Sequence, residues 1–164
     1  EVFDEGYDRE VVFGLVRLGI DDSKKEKIRL ANSFNKRALK SQKDIKEDLK
    51  NLIYKNQKVV IWGGTGKAAA FINFFEVDSD RFPVVVDSDE LKVGTYVPGT
   101  GQEIKSVATL ESSKIDVVIV PTAWRSRDII QEMRRKKIFA SKVLIEHKGR
   151  LIDFLLDDHP YREV

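Results

Sequence analysis

Lys58-Val59-Val60-Ile61-Trp62-Gly63-Gly64-Thr65-Gly66-Lys67-Ala68-Ala69-Ala70 decides the fold. Five residues, rich in β-branched side chains, form a short apolar run that ends at glycine. A strand buried on both faces reads this way. Good helix formers follow as far as Phe75. Gly64, Gly66 and Ala69 fit the spacing G-x-G-x-x-[G/A] between strand and helix. Glycines let the backbone turn tightly and approach a pyrophosphate, and the helix start offers free N–H groups and a positive dipole end. Gly63, Gly64, Thr65, Gly66 and Lys67 are therefore candidate ligand-binding residues. The bland alternative is a tight βα turn that binds nothing. A Walker A reading of Gly66-Lys67 fails. Ile61 stands where that motif needs glycine, and Ala68 stands where it needs the magnesium-binding Ser or Thr.

Downstream, the pattern repeats. Phe82-Pro-Val-Val-Val-Asp87 is a second strand, and Asp87 ends it at the spacing of a ribose-binding acid. Asp116 to Pro121 is a third strand, followed by a helix from about Ser126 to Lys137. Lys142 to Ile145 is a fourth. Strands alternating with helices indicate an α/β fold, a Rossmann-like parallel sheet with flanking helices, whose ligands sit at the carboxyl ends of the strands. Leu91 to Ile104 interrupts the alternation as a turn-rich excursion. After Gly149, the apolar patch Leu151-Ile152 and Phe154-Leu155-Leu156 is expected to dock as a helix.

Upstream, Lys24 to Asn56 contains neither Gly nor Pro. Ile28, Phe34, Ala38, Ile45, Leu49, Leu52 and Ile53 recur at roughly helical spacing, with lysines on the other face. One long amphipathic helix or two consecutive ones fit, behind N-cap chemistry at Asp21-Asp22-Ser23. The stripe needs cover from the N-terminal segment, the α/β body or a second copy, so a homo-oligomer through the long helix is one outcome. Val2 to Ile20 fits a short helix or a strand pair equally. The domain reading is thus an extension over 1–23 left from a preceding domain, the long helix over 24–56, the α/β domain over 57–156 and a flexible tail over 157–164.

Composition narrows the function. With 34% charged and 41% hydrophobic residues the chain is a folded globular protein, not a disordered one. A net charge of +2 is too small to imply nucleic acid. No cysteine is present, which excludes thiol chemistry and weakens any zinc site; His147 and His159 stand too far apart for a helical metal pair. No apolar run approaches a membrane span and no signal peptide is visible, so a cytoplasmic setting is expected. The acidic start without Met reads as a fragment boundary.

Three stretches carry a resemblance. They are Trp62-Gly-Gly-Thr-Gly-Lys67 with Asn73, Val86-Asp87, and Lys92-x-Gly94-x-Tyr96-x-Pro98-Gly99-Thr100, with a later strand ending near Trp124. Together with the preceding long helix they resemble the C-terminal, Rossmann-like domain of SAM-dependent sugar C-methyltransferases, over roughly Lys24 to Leu155. The Pro-Gly-Thr stretch is the most distinctive. The resemblance implies a domain that helps to hold a nucleotide sugar and closes the cleft, beside a zinc-bearing module and a SAM-binding domain in the same protein. It adds Lys92, Pro98, Gly99, Thr100 and Trp124 to Asp87 and the glycine loop as ligand-binding candidates. Arg125-Ser126-Arg127 departs from the family pattern, which carries an Asn and an acidic residue there. Neither zinc cysteines nor a second glycine-rich strand and loop stand in this chain. It therefore reads as an excised C-terminal domain or as a protein that kept only this domain, with no cofactor of its own; SAM belongs to the full-length family protein. A freestanding dinucleotide or nucleotide-sugar module, or a structural oligomerisation domain, are the alternatives.

Other residues have ordinary readings. Arg125 and Arg127 could clamp phosphate but fit the exposed first turn of a helix. Arg134 to Lys137 suits a helix C-terminus, where cations meet the dipole. Glu146-His147 fits a surface turn.

Overall fold

A computed structural model describes residues 2–6, 11–14, 24–111 and 113–162. Two strands, β1 (Val2–Gly6) and β2 (Val11–Gly14), pair antiparallel, which selects the strand pair for the N-terminal segment. One uninterrupted helix, α1 (Lys24–Tyr54), follows. The capping expected of Asp21, Asp22 and Ser23 lies outside the described residues, as do the last two residues of the tail.

The body alternates β3 (Val59–Trp62), α2 (Lys67–Phe74), β4 (Val85–Asp87), β5 (Ile104–Ser106), β6 (Ile115–Val120), α3 (Ser126–Arg135), β7 (Ala140–His147) and β8 (Arg150–Asp153). The sheet order is β5-β4-β3-β6-β7-β8, parallel except for β8. Chain order turns back on itself between β3 and β6, and such a switch point opens a crevice at the carboxyl ends of the strands.

Period-two alternation sorts the strand residues between two cores. Val59 and Ile61 join Ile45 and Leu49 of α1 and Phe71 and Ile72 of α2 on one face. Val60 and Trp62 join Ile129 and Met133 of α3 on the other. All four residues of β3 are buried, as a central parallel strand requires.

The structure corrects the expectations for the C-terminal segment. Leu151 and Ile152 do not start a helix; they belong to β8, which pairs antiparallel with β7. His147 faces Arg150 across a two-residue turn, in which Lys148 and Gly149 have φ of 49° and 78°. Two positive φ values in succession suit the right-handed twist of a hairpin. The pleat then sends Leu151 to the α1 face and Ile152 to the α3 face. Where a loose tail is expected from Asp157 onward, the segment to Arg162 is docked instead. His159 is 7% exposed, with Nε2 at 2.8 Å from the Phe154 carbonyl and Nδ1 accepting the Tyr161 N–H at 3.2 Å.

Gln102 explains why the excursion holds its shape. Its buried amide donates to the Val77 carbonyl at 2.7 Å and to the Phe82 carbonyl at 3.3 Å, while Thr100 Oγ1 pairs with its oxygen. Asn73 Nδ2 donates to the Pro98 carbonyl at 2.8 Å. The excursion is thereby fastened to the far end of α2.

Candidate functional site

The switch point carries a cavity of about 330 Å³. Trp62, Gly63, Thr65 and Ala68 line it from β3 and the start of α2. Asp87, Ser88, Asp89 and Lys92 come from β4 and the loop after it, and Thr122, Trp124, Arg125 and Ile129 from the loop after β6 and from α3. Its size falls within the range of small-molecule sites, roughly 300–1,000 Å³.

At its back stands Asp87, 8% exposed. One carboxylate oxygen accepts the Asp89 N–H at 3.0 Å, and the Gly64 N–H points at the other from 3.4 Å. Lys92 Nζ lies 3.4 Å from Asp87 and 3.5 Å from Asp89. One ammonium therefore balances part of the charge of two carboxylates, which lowers the cost of keeping Asp87 out of water. Trp62 is held by a hydrogen-bond relay. Its Nε1 donates to Ser88 Oγ at 3.0 Å, and Ser88 donates its own proton to Glu132 at 2.6 Å, tying β3 to α3. Trp124 is 37% exposed, with the Arg125 guanidinium 5.4 Å from its ring centre, within cation–π range. Arg125 also stands 3.6 Å from Asp128. The site thus offers a half-open aromatic face, two cations, two carboxylates and several hydroxyls.

Of the residues singled out from sequence, the structure brings Gly63, Thr65, Asp87, Lys92 and Trp124 together around this cavity. The other candidates do not line the cavity, although Gly64 and Gly66 flank Thr65 in the turn beside it. Gly64 is committed to packing: a β-carbon there would come within 2.5 Å of Ile104 Cγ1 and 3.3 Å of Val85 Cγ1. Gly66, the residue before α2, has φ 56° and ψ −123° and open space where a β-carbon would go. Lys67 lines a separate apolar recess of about 240 Å³ with Ala70, Phe71, Phe74, Phe75, Pro121 and Glu146. Pro98, Gly99 and Thr100 lie on the excursion fastened to α2, and a β-carbon at Gly99 would come within 2.9 Å of Asn73 Cγ. Those three residues do packing work in this structure.

Sequence reading did not pick out Trp62, Ala68, Ser88, Asp89, Thr122 and Ile129 as lining residues, and weighed Arg125 as a phosphate clamp but favoured its ordinary reading. Ser88 and Asp89 directly follow Asp87, so the strand-end position could have flagged them. Nothing in the sequence marks Thr122 or Ile129, which arrive through sheet order.

Sheet order, glycine turn and strand-end acid define a Rossmann-like domain with a crevice at the switch point. A family model for the C-methyltransferase C-terminal domain matches residues 21–146, and the chain belongs to that family. The match spans α1 through nearly all of β7 and leaves β8 and the docked tail outside. No curated protein matches the chain. As the C-terminal domain of a methyltransferase, it implies a partner domain in the same protein. Among the described residues no group of His, Cys, Asp and Glu could hold a metal, and no helix is long and apolar enough to cross a membrane.

Proposed function

We propose that this domain holds the nucleotide-sugar substrate of a sugar C-methyltransferase, while methyl transfer is carried out by a SAM-binding part of the protein outside this chain. The observation that carries the reading is the meeting of Trp124, Asp87, Lys92 and the glycine turn in one crevice. An aromatic face suits a nucleobase, and Thr65 with the N-terminal turn of α2 suits phosphate. Lys92 and Arg125 supply the cations that a diphosphate needs. Gly66 leaves open space at the turn for a phosphate to approach. The sugar then projects from the carboxyl edge, where a second domain can reach it.

SAM is assigned to the partner domain that the family implies, because this chain carries a single glycine turn between strand and helix and the nucleotide sugar takes it.

Calorimetric titration tests this. The chain is expected to bind a nucleoside diphosphate sugar saturably and to show no heat with SAM. Trp124→Ala and Gly66→Val should each weaken binding at least tenfold. The first removes the aromatic face. The second fills the open side of the turn and adds a backbone strain of about 1–3 kcal/mol, because φ 56° with ψ −123° is glycine territory. Micromolar SAM binding, or full affinity in both folded variants, would overturn the assignment.

A further inference from the structure

The sheet ends in β5 on one side and in β8 on the other. An open edge strand offers N–H and C=O groups to any other extended chain. At β5 the main chain of the excursion takes them. Ile104 donates its N–H to the Thr95 carbonyl at 2.8 Å and accepts the Gly94 N–H at 2.9 Å. At β8 the closure is of another kind.

Register tells which groups of β8 face outward. Leu144 stands opposite Asp153 and Glu146 opposite Leu151, while the Phe154 N–H donates to the Val143 carbonyl at 2.8 Å. Inward bonds alternate along an antiparallel ladder. The N–H groups of Leu151 and Asp153 therefore point away from β7. Both are met by carboxylates from outside the strand. Asp48 of α1 accepts the Leu151 N–H at 3.1 Å, and Asp157 accepts the Asp153 N–H at 2.6 Å. Asp157 also returns its own N–H to the Asp153 carbonyl at 2.9 Å.

Each cap is itself held. The Arg150 guanidinium donates to both oxygens of Asp48 at 2.6 and 2.9 Å, and Arg162 donates to the Asp157 carbonyl at 2.8 Å. A further strand would need the same two N–H groups, so strand and carboxylates exclude each other. β8 and Asp157 lie beyond the residues that the family model matches.

The edge is complementary to itself. Set β8 antiparallel against β8 of a second copy, with a two-fold axis at Ile152. Leu151 of each copy then meets Asp153 of the other as a pair exchanging both N–H···O bonds. Ile152 faces Ile152, a β-branched pair of the kind that stabilises sheets.

We infer that the edge of β8 is a self-pairing surface held shut by Asp48 and Asp157, and that the partner it takes when opened is β8 of a second copy of this chain.

The test uses the whole protein as its gene encodes it. Relative to the parent, D48A/D157A should show a twofold mass by light scattering. D48N/D157N, whose amide oxygens still accept the two N–H groups, should keep the parent mass. In D48A/D157A a cysteine in place of Ile152 should form a disulfide with the same position of a second copy, since directly opposed residues of that kind lie roughly 4.5 Å apart at Cα. Asp157→Ala alone, which leaves α1 anchored by Asp48, is held to the same outcome should the double variant not fold. Hydrogen exchange on the parent reads the caps directly: the Leu151 and Asp153 amides should exchange at least tenfold more slowly than solvent-exposed amides. A parent mass for the alanine variant, a doubled mass for the asparagine variant, a doubled mass without the disulfide, or fast exchange at either amide would each overturn the inference.

Discussion

Gly64→Ala separates the two jobs a glycine can have in a βα turn. The backbone at Gly64 is not in the positive-φ region, so alanine brings no conformational strain there. Its methyl group, however, would sit 2.5 Å from Ile104 Cγ1, against an ordinary contact of 3.4–4 Å. The Ile104 side chain must retreat by about 1 Å, yet it is fully buried and Val85 stands beside it at 3.3 Å from the new methyl. Overpacking of this kind costs about 1–3 kcal/mol. Ile104→Ala alone should cost about 2–5 kcal/mol through the cavity it leaves. In the double variant the methyl added at position 64 enters that cavity, so Gly64→Ala should cost nearly nothing on the Ile104→Ala background. Urea unfolding of the four proteins closes the cycle, with an expected coupling of about 1–3 kcal/mol. Additivity within about 0.5 kcal/mol, or a Gly64→Ala protein as stable as the parent, would refute the assignment of Gly64 to packing and return it to the ligand site.

Two further outcomes depend on buried polar groups. Gln102→Leu should destabilise by about 1–3 kcal/mol in urea titration, because the Val77 and Phe82 carbonyls lose their donor inside the core; an unchanged midpoint would mean that water replaces the amide. His147 is held below its ordinary value of 6.5 by burial first and by Lys148 second. The folded state therefore binds fewer protons than the unfolded chain as pH drops through about 6.5, and stability should fall there. Paired carboxylates such as Asp44 and Glu76, lowered from 3.8 and 4.5, hold their contribution until more acid pH. His147→Gln should flatten the limb between the two ranges, and a parent whose stability is level from pH 7 to 5 would contradict the reasoning.

The fold was legible where periodicity was strong. Val59 to Trp62, Val85 to Asp87, Ile115 to Val120 and Val143 to Ile145 are dense apolar runs between turn signals, and all became strands. The glycine-free run from Lys24 became one helix. β5 was missed because three residues, Ile104 to Ser106, give no period. β8 was missed because Leu151-Ile152 and Phe154-Leu155-Leu156 look equally apolar in a helix or a strand, and the Lys148-Gly149 turn decides between them. At the site, sequence spacing located Asp87, Gly63 and Thr65, because the end of a strand fixes where the next few residues lie. Spacing could not tell that Gly64 faces Ile104, that Lys67 turns to the other face of α2 or that Pro98 and Gly99 pack on Asn73. Each depends on which element lies behind the residue.

The unbroken length of α1 also sets a phase. Each residue added to or taken from a helix turns whatever is fixed to its far end by about 100° and moves it by about 1.5 Å. No glycine or proline between Lys24 and Tyr54 offers a joint to absorb that rotation. A single-residue deletion between Ala38 and Ile45 would swing Phe34 and Ala38 out of line with Ile45 and Leu49, although every side chain of the crevice stays in place. A seven-residue insertion there, close to two whole turns, would shift the stripe by about 10 Å in nearly the same orientation. The helix therefore keeps its apolar line only when its length changes in steps of whole turns.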